Sequence, residues 1–205
     1  GRIDEYLNGT LEPIAENEKL RQLGRYADTT RAAVYNGTDD ALPYRVGTYS
    51  FNSGSGLYFI AGYEDDEIFN LLDDTIMSLG YTGIGGKVSS GLGKFSAFPE
   101  EVPDEILKRL DGKHDRYITI SVSMAKEDQL DKALDNAGYM LIKRSGFINS
   151  QTYSDTQRKK REMYCFAAGS CFENRFDGYV ADLSDGGNHP VYRYAVPMFM
   201  GVDLP

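Results

Sequence analysis

The residues of this chain best suited to chemistry lie in Gly83-Ile-Gly-Gly-Lys-Val-Ser-Ser-Gly-Leu-Gly-Lys-Phe95, where five glycines, two serines and two lysines fall within 13 residues. Glycine reaches positive φ at little steric cost and lets a second backbone come close. Lysine ammonium groups, serine hydroxyls and exposed backbone N–H groups together suit a polyanion lying along a loop. The segment fails the patterns that act on a nucleotide or an ester. A Walker A loop needs glycine at Tyr81 and Ser or Thr at Val88, and the dinucleotide fingerprint begun at Gly83 needs glycine at Val88. A nucleophile elbow centred on Ser89 is broken by Lys87. The chemistry left is holding an extended backbone, with an ordinary surface loop as the competing reading.

Other reactive residues are sparse. Two cysteines (Cys165, Cys171) and two histidines (His114, His189) show no paired spacing of a zinc site, and no disulfide framework is visible. No metal ligand set and no cofactor motif is expected. Cys165 reads as a core residue, His114 as a turn residue and His189 as a strand entry before Pro190. No catalytic constellation stands out. The remaining enzymatic option is a metal-independent endoribonuclease using His114 or His189 as acid or base. A small-molecule-binding domain unrelated to RNA is a third, weaker option.

The elements that must position the loop follow from apolar spacing. Ile68, Leu72, Ile76 and Leu79 predict a helix over 64–79, with acids in its first turn and Gly80 as its stop. The glycine loop then follows a helix and leads into a strand over 92–98, the reverse of a P-loop's strand-to-helix order. Residues 4–25 read as partly helical, interrupted by Pro13, and 31–35 as a strand. Residues 44–51 and 57–63 read as two strands of a hairpin across Asn52–Gly56. Further along, 104–110 predicts a short helix, 116–124 an alternating strand, and 126–137 a helix with Leu130, Ala133, Leu134 and Ala137 inward. Strands are expected at 140–148, 161–168, 178–181 and 191–202. This order predicts an α+β chain on an antiparallel sheet, ferredoxin-like or RRM-like with elaborations. Such sheets often carry RNA on exposed aromatics, and the chain has 15 Tyr and 10 Phe.

The chain has 205 residues and a net charge of −9, which opposes nucleic-acid binding over its whole surface but not at a local patch. Between Lys143 and Arg161 six basic residues face one acid, Asp155, whereas acids gather at Asp39–Asp40, Glu64–Glu67 and Glu100–Glu105. The run Arg158–Arg161 also fits a solvated loop. No stretch is apolar enough for a membrane helix, and the cysteine usage suggests a cytoplasmic protein. The start at Gly1-Arg2 without methionine reads as a fragment of something longer. The expected organisation is an N-terminal helical or linker segment, 1–28, continuing from a missing half, followed by an RRM-like domain, 29–205.

The helix and its glycine loop resemble the C-terminal glycine-rich loop of the RAMP superfamily, the RRM-like subunits of CRISPR effector complexes. Arg31-Ala-Ala-Val-Tyr-Asn-Gly37 resembles the arginine-led strand before the hairpin. Phe166-Ala-Ala-Gly-Ser-Cys-Phe172 resembles a late aromatic Gly-Ser strand. His189-Pro-Val-Tyr-Arg-Tyr194 resembles the closing motif of the fourth subunit of type III-A (Csm) complexes. The resemblance implies a RAMP fold and a non-catalytic subunit of an antiviral ribonucleoprotein. It implies that this subunit holds the 5′ repeat-derived tag of the crRNA and joins the large polymerase-like subunit to the backbone RAMP subunit. The RNA-facing residues it implies are Gly83, Gly85, Gly86, Lys87, Ser89, Ser90, Gly91, Gly93 and Lys94, with Arg31 in addition. Lysines stand where many relatives carry arginine, which implies point-charge rather than bidentate phosphate contacts.

Overall fold

The computed structural model describes residues 5, 8–33 and 42–204 and shows helices with antiparallel strands, the last six strands following one another without a helix between them. The chain divides into two units, Leu11–Glu101 and Val102–Pro205, the second together with the residues before Leu11. The boundary expected after residue 28 falls inside a strand, Gly24–Ala33.

The first unit opens with α1 (Pro13–Arg21). Pro13 begins this helix rather than interrupting it, because a first-turn residue needs no backbone N–H donor. The strands β1 (Gly24–Ala33) and β2 (Leu42–Phe51) pair antiparallel in register from Gly24 opposite Phe51 to Ala33 opposite Leu42. The expected partner of β2, residues 57–63, forms no strand. The Asn52–Gly56 segment therefore ends the hairpin rather than turning it, and the true partner precedes β2. Residues 34 and 35 of the expected 31–35 strand lie outside the described residues.

Helix α2 (Asp66–Thr82) starts where the Asp65 carboxylate accepts the Ile68 N–H at 2.9 Å. Asp66 and Glu67 then oppose the positive end of the helix dipole. Gly80 does not end this helix. It is buried in the last turn, and the cap is Gly83, whose N–H donates to the Leu79 carbonyl at 2.6 Å.

The second unit holds the apolar core. Helix α3 (Asp104–Asp111) leads to β3 (Arg116–Thr119), the centre of a three-stranded sheet between β6 (Cys171–Phe172) and β9 (Phe199–Val202). The expected strand 116–124 is cut short after Thr119, and its later part contributes one bridge, Ser123 to Phe166. The expected helix 126–137 is a 3-10 turn, Glu127–Gln129, and one turn of α4 (Leu130–Leu134). Its inward face is as the spacing predicts: Ala133 is buried, and Leu130, Leu134 and Ala137 pack on the same cluster.

That cluster is aromatic. Phe166, Phe172, Phe176 and Phe199 meet edge to face or tilted, with ring centroids 5.0–5.7 Å apart for Phe166–Phe172, Phe166–Phe176 and Phe176–Phe199. A second cluster (Met163, Cys165, Leu183, Ala195) lies between two hairpins. One is β4 (Leu141–Arg144) with β5 (Met163–Phe166). The other is β7 (Val180–Asp182) with β8 (Tyr192–Tyr194). The expected long last strand is thus two, β8 and β9. Among the described residues no helix is long and apolar enough to cross a membrane.

Candidate functional site

The glycine segment is a closed loop stapled at its base. Ile84 N–H donates to the Gly93 carbonyl at 3.0 Å, and Phe95 N–H donates to the Gly80 carbonyl at 3.2 Å. The exit leg therefore folds back on the end of α2 instead of forming the expected strand over 92–98. Val88–Ser90 make a 3-10 turn at the tip, closed by Gly91 N–H on the Val88 carbonyl at 2.9 Å.

The five loop glycines fall into two groups. Gly83 and Gly93 sit at the base, at φ +91° and +79°, where a Cβ on Gly83 would lie 2.9 Å from the Leu92 carbonyl oxygen and one on Gly93 would strike the Ile84 carbonyl. These two let the legs touch. Gly85, Gly86 and Gly91 have no atom within 4 Å of where a Cβ would stand. Their bare backbone is exposed, and Ser89, Ser90 and Lys94 are exposed with it. The base glycines thus build the loop, and the tip glycines leave room for something laid across it.

Lys87 is half-buried at the tip, with its ammonium 5.0 Å from the centroid of the Tyr44 ring. Tyr44 stands on β2 directly opposite Arg31 on β1. Directly opposed residues of an antiparallel pair project from the same face. The loop brings Lys87 onto the Tyr44 ring, and Arg31 stands beside Tyr44 on the same face of the hairpin. Tyr44 was not legible as a site residue, because its only signal is the β1–β2 register. The remainder of the Arg31-led motif, residues 34–37, lies outside the described residues.

The two histidines are held differently. His114 sits with its side chain 13% exposed. Its Nδ1 is 2.9 Å from the Asp203 carboxylate and its Nε2 3.1 Å from the Lys108 carbonyl. Both neighbours accept, so the imidazolium, which donates from both nitrogens, fits best. The Lys108 carbonyl and then Asp203 raise its pKa from the ordinary value near 6.5, against a smaller lowering by burial. His189 places Nε2 2.8 Å from the Ser150 hydroxyl and Nδ1 2.8 Å from the Pro190 carbonyl, with its ring edge-on to Tyr153.

Neither cysteine is activated: burial pushes both thiols up, more than Arg193 and Arg144 lower Cys165 or Arg116 lowers Cys171. No group of three or more His, Cys, Asp or Glu able to hold a metal occurs among the described residues. In the basic run, Lys159 lies over the Phe147 ring at 5.4 Å and the Arg161 guanidinium donates to the Asp182 carbonyl at 2.6 Å.

Antiparallel strands with helices, and a stapled glycine loop after a helix, fit the fold that the RAMP resemblance implies. Residues 112–202 match the CRISPR Csm4 C-terminal domain family. The chain is 37% identical over 201 residues to the Csm4 protein of Mycobacterium tuberculosis strain H37Rv, which aligns 98% of this chain with 65% of that one. It is 32% identical over 204 residues to that of Streptococcus thermophilus, over 98% of this chain and 63% of that one. The chain is thus similar to Csm4 proteins, and it spans just under two thirds of the length of these curated relatives. A solved Csm3–Csm4 subcomplex of the type III-A CRISPR-Cas interference complex shares the fold, with a TM-score of 0.58 and 22% identity, over 86% of this chain and 52% of that one.

Proposed function

We propose that this chain is part of a type III-A CRISPR subunit that holds the repeat-derived 5′ tag of a crRNA and links the large subunit to the backbone RAMP subunit. It does so without cutting RNA, in the cytoplasm. The observation that carries this reading is the stapled loop, whose tip exposes bare backbone at Gly85, Gly86 and Gly91 beside the Lys87–Tyr44–Arg31 group. An RNA backbone needs close approach, positive charge and a ring to lie against, and these residues supply all three. Gly83 and Gly93 act in this reading by shaping the loop, and Ser89, Ser90 and Lys94 by contacting RNA. Csm3, which accompanies Csm4 in the solved subcomplex, supports a backbone subunit as neighbour. The alternative of a histidine-dependent nuclease is disfavoured because both ring nitrogens of His114 and of His189 are engaged within the fold.

The test is retention of labelled RNA carrying the repeat-derived tag by the complex assembled around this protein. Retention of intact RNA, weakened by Lys87→Ala, supports the reading. Cleavage that is lost in His114→Ala or His189→Ala supports the nuclease instead, and neither retention nor cleavage removes RNA from the function.

A further inference from the structure

Among the described residues, two arginines of the second unit carry a buried Nε without a partner. Arg144, on β4, and Arg193, on β8, are half-buried. In each the Nε atom is shut off from solvent and meets no hydrogen-bond acceptor. Buried polar groups in folded proteins are almost always paired, and a guanidinium is a donor that cannot shed its charge.

Strand register brings the two together. Arg144 opposes Met163, and Ile142 opposes Cys165, so these four share one face of the β4–β5 hairpin. Arg193 opposes Ala181 and lies two residues from Ala195, on one face of the β7–β8 hairpin. Met163, Cys165, Ile142, Ala181 and Ala195 all belong to the same apolar cluster, so both arginines project onto it from neighbouring hairpins. Both also act electrostatically on the Cys165 thiol, which burial keeps neutral and which offers them no charge.

The nearby carboxylates are committed elsewhere. Glu162 pairs with Lys143 at 2.7 Å. The Asp182 carboxylate accepts the Ser184 and Val191 N–H groups at 2.9 and 3.1 Å. Among the described residues no carboxylate lies within ion-pair distance of Arg144 or Arg193, whereas Lys143, Arg116 and Lys126 of the same unit each have one.

We propose that Arg144 and Arg193 form a two-guanidinium cradle for one phosphate of a single-stranded RNA, a second contact apart from the glycine loop. The proposal rests on the RNA-binding reading above and deepens it. One fact favours a nucleic-acid phosphate over a protein carboxylate. The same β4–β5 hairpin also carries Arg158, Lys159 and Lys160, with Lys160 N–H bonded to the Gly146 carbonyl just past Arg144.

The experiment titrates the intact protein with a labelled, unstructured single-stranded RNA at several salt concentrations. Arg144→Gln, Arg193→Gln, their combination and Lys87→Ala are compared with the parent. If the pair holds one phosphate, the combined variant lowers the salt slope by about 0.7, the value for one phosphate on a single strand, and the two single changes are not additive. Arg144→Lys with Arg193→Lys should restore part of the slope. Removing an unpaired guanidinium leaves no orphaned partner, so the Gln variants should melt no lower than the parent, which thermal unfolding checks. A combined variant that is folded and has the parent's affinity and slope, while Lys87→Ala binds more weakly, overturns the cradle and leaves the RNA reading standing. Parental RNA binding combined with loss of a protein partner assigns the arginines to a carboxylate and also overturns it. A parent that binds no RNA overturns both.

Discussion

The Lys87 ammonium lies 5.0 Å from the centroid of the Tyr44 ring, so a loop residue and a strand residue 43 positions earlier form one cation–aromatic contact. Arg31 stands opposite Tyr44 on the neighbouring strand. An exposed contact of this kind contributes about 0.5–1 kcal/mol, too little to hold the loop, whose base is stapled by its own backbone. Tyr44→Leu should therefore leave thermal stability within about 1 kcal/mol of the parent. It should weaken RNA binding in the same direction as Lys87→Ala, with similar effects across RNA sequences because phosphate contacts carry no sequence information. RNA affinity and melting, measured side by side, check both halves; an unchanged affinity would remove Tyr44 from the site.

The loop glycines separate folding from binding. Gly86 has no positive φ and open space around its missing Cβ, so Gly86→Val should fold as the parent does and lose affinity only if RNA crosses the tip. Gly93→Ala meets both the φ +79° backbone and the Ile84 carbonyl. Strain and overpacking together should destabilise the first unit by more than about 2 kcal/mol. Gly91→Val lies between these, strained at φ +80° but unobstructed. Melting should order the three Gly86→Val, Gly91→Val, Gly93→Ala from most to least stable, and a different order would contradict the stapled geometry.

His114 links stability to pH. Its folded pKa is raised above the ordinary value near 6.5 by the Lys108 carbonyl and Asp203. Folding therefore favours the protonated ring. The contribution is fully present below about pH 6.5 and fades as pH rises through the higher folded value. Urea midpoints of the parent and of His114→Gln, measured from mildly acidic to mildly alkaline pH, should differ most at the acidic end and converge as pH rises. Asp203→Asn should shrink this dependence. A difference that grows with pH would refute the assignment.

Phe172 is completely buried, 5.0 Å from Phe166 and 5.1 Å from Phe176 between ring centroids. Phe172→Ala should cost about 3–5 kcal/mol. Phe98→Ala, at an 81% exposed position, should cost under about 0.5 kcal/mol. Denaturant unfolding of the two variants checks the contrast.

By itself the sequence determined what depends on neighbours a few residues away. Helix α2 was legible because Ile68, Leu72, Ile76 and Leu79 recur at helical spacing with acids in the first turn. The inward set Leu130, Ala133, Leu134 and Ala137 was legible for the same reason, even though only one helical turn forms there. The glycine loop was legible as a binding element because its composition departs from every local alternative.

Only the tertiary structure decided what depends on distant segments. Strand β2 pairs with Gly24–Ala33 instead of 57–63 because pairing is settled by cross-strand contacts between whole strands, which no short window contains. Gly80 stays helical because the Phe95 backbone closes on it, where a Cβ would lie 2.6 Å from that carbonyl. The same holds for the site. Lys87 and Arg31 could be named as cations from sequence, but the Tyr44 ring that Lys87 covers and whose strand Arg31 opposes could not. Nor could the unpartnered Nε of Arg144 or of Arg193, since lacking a partner is a property of everything that folds around a residue and of nothing beside it in the chain.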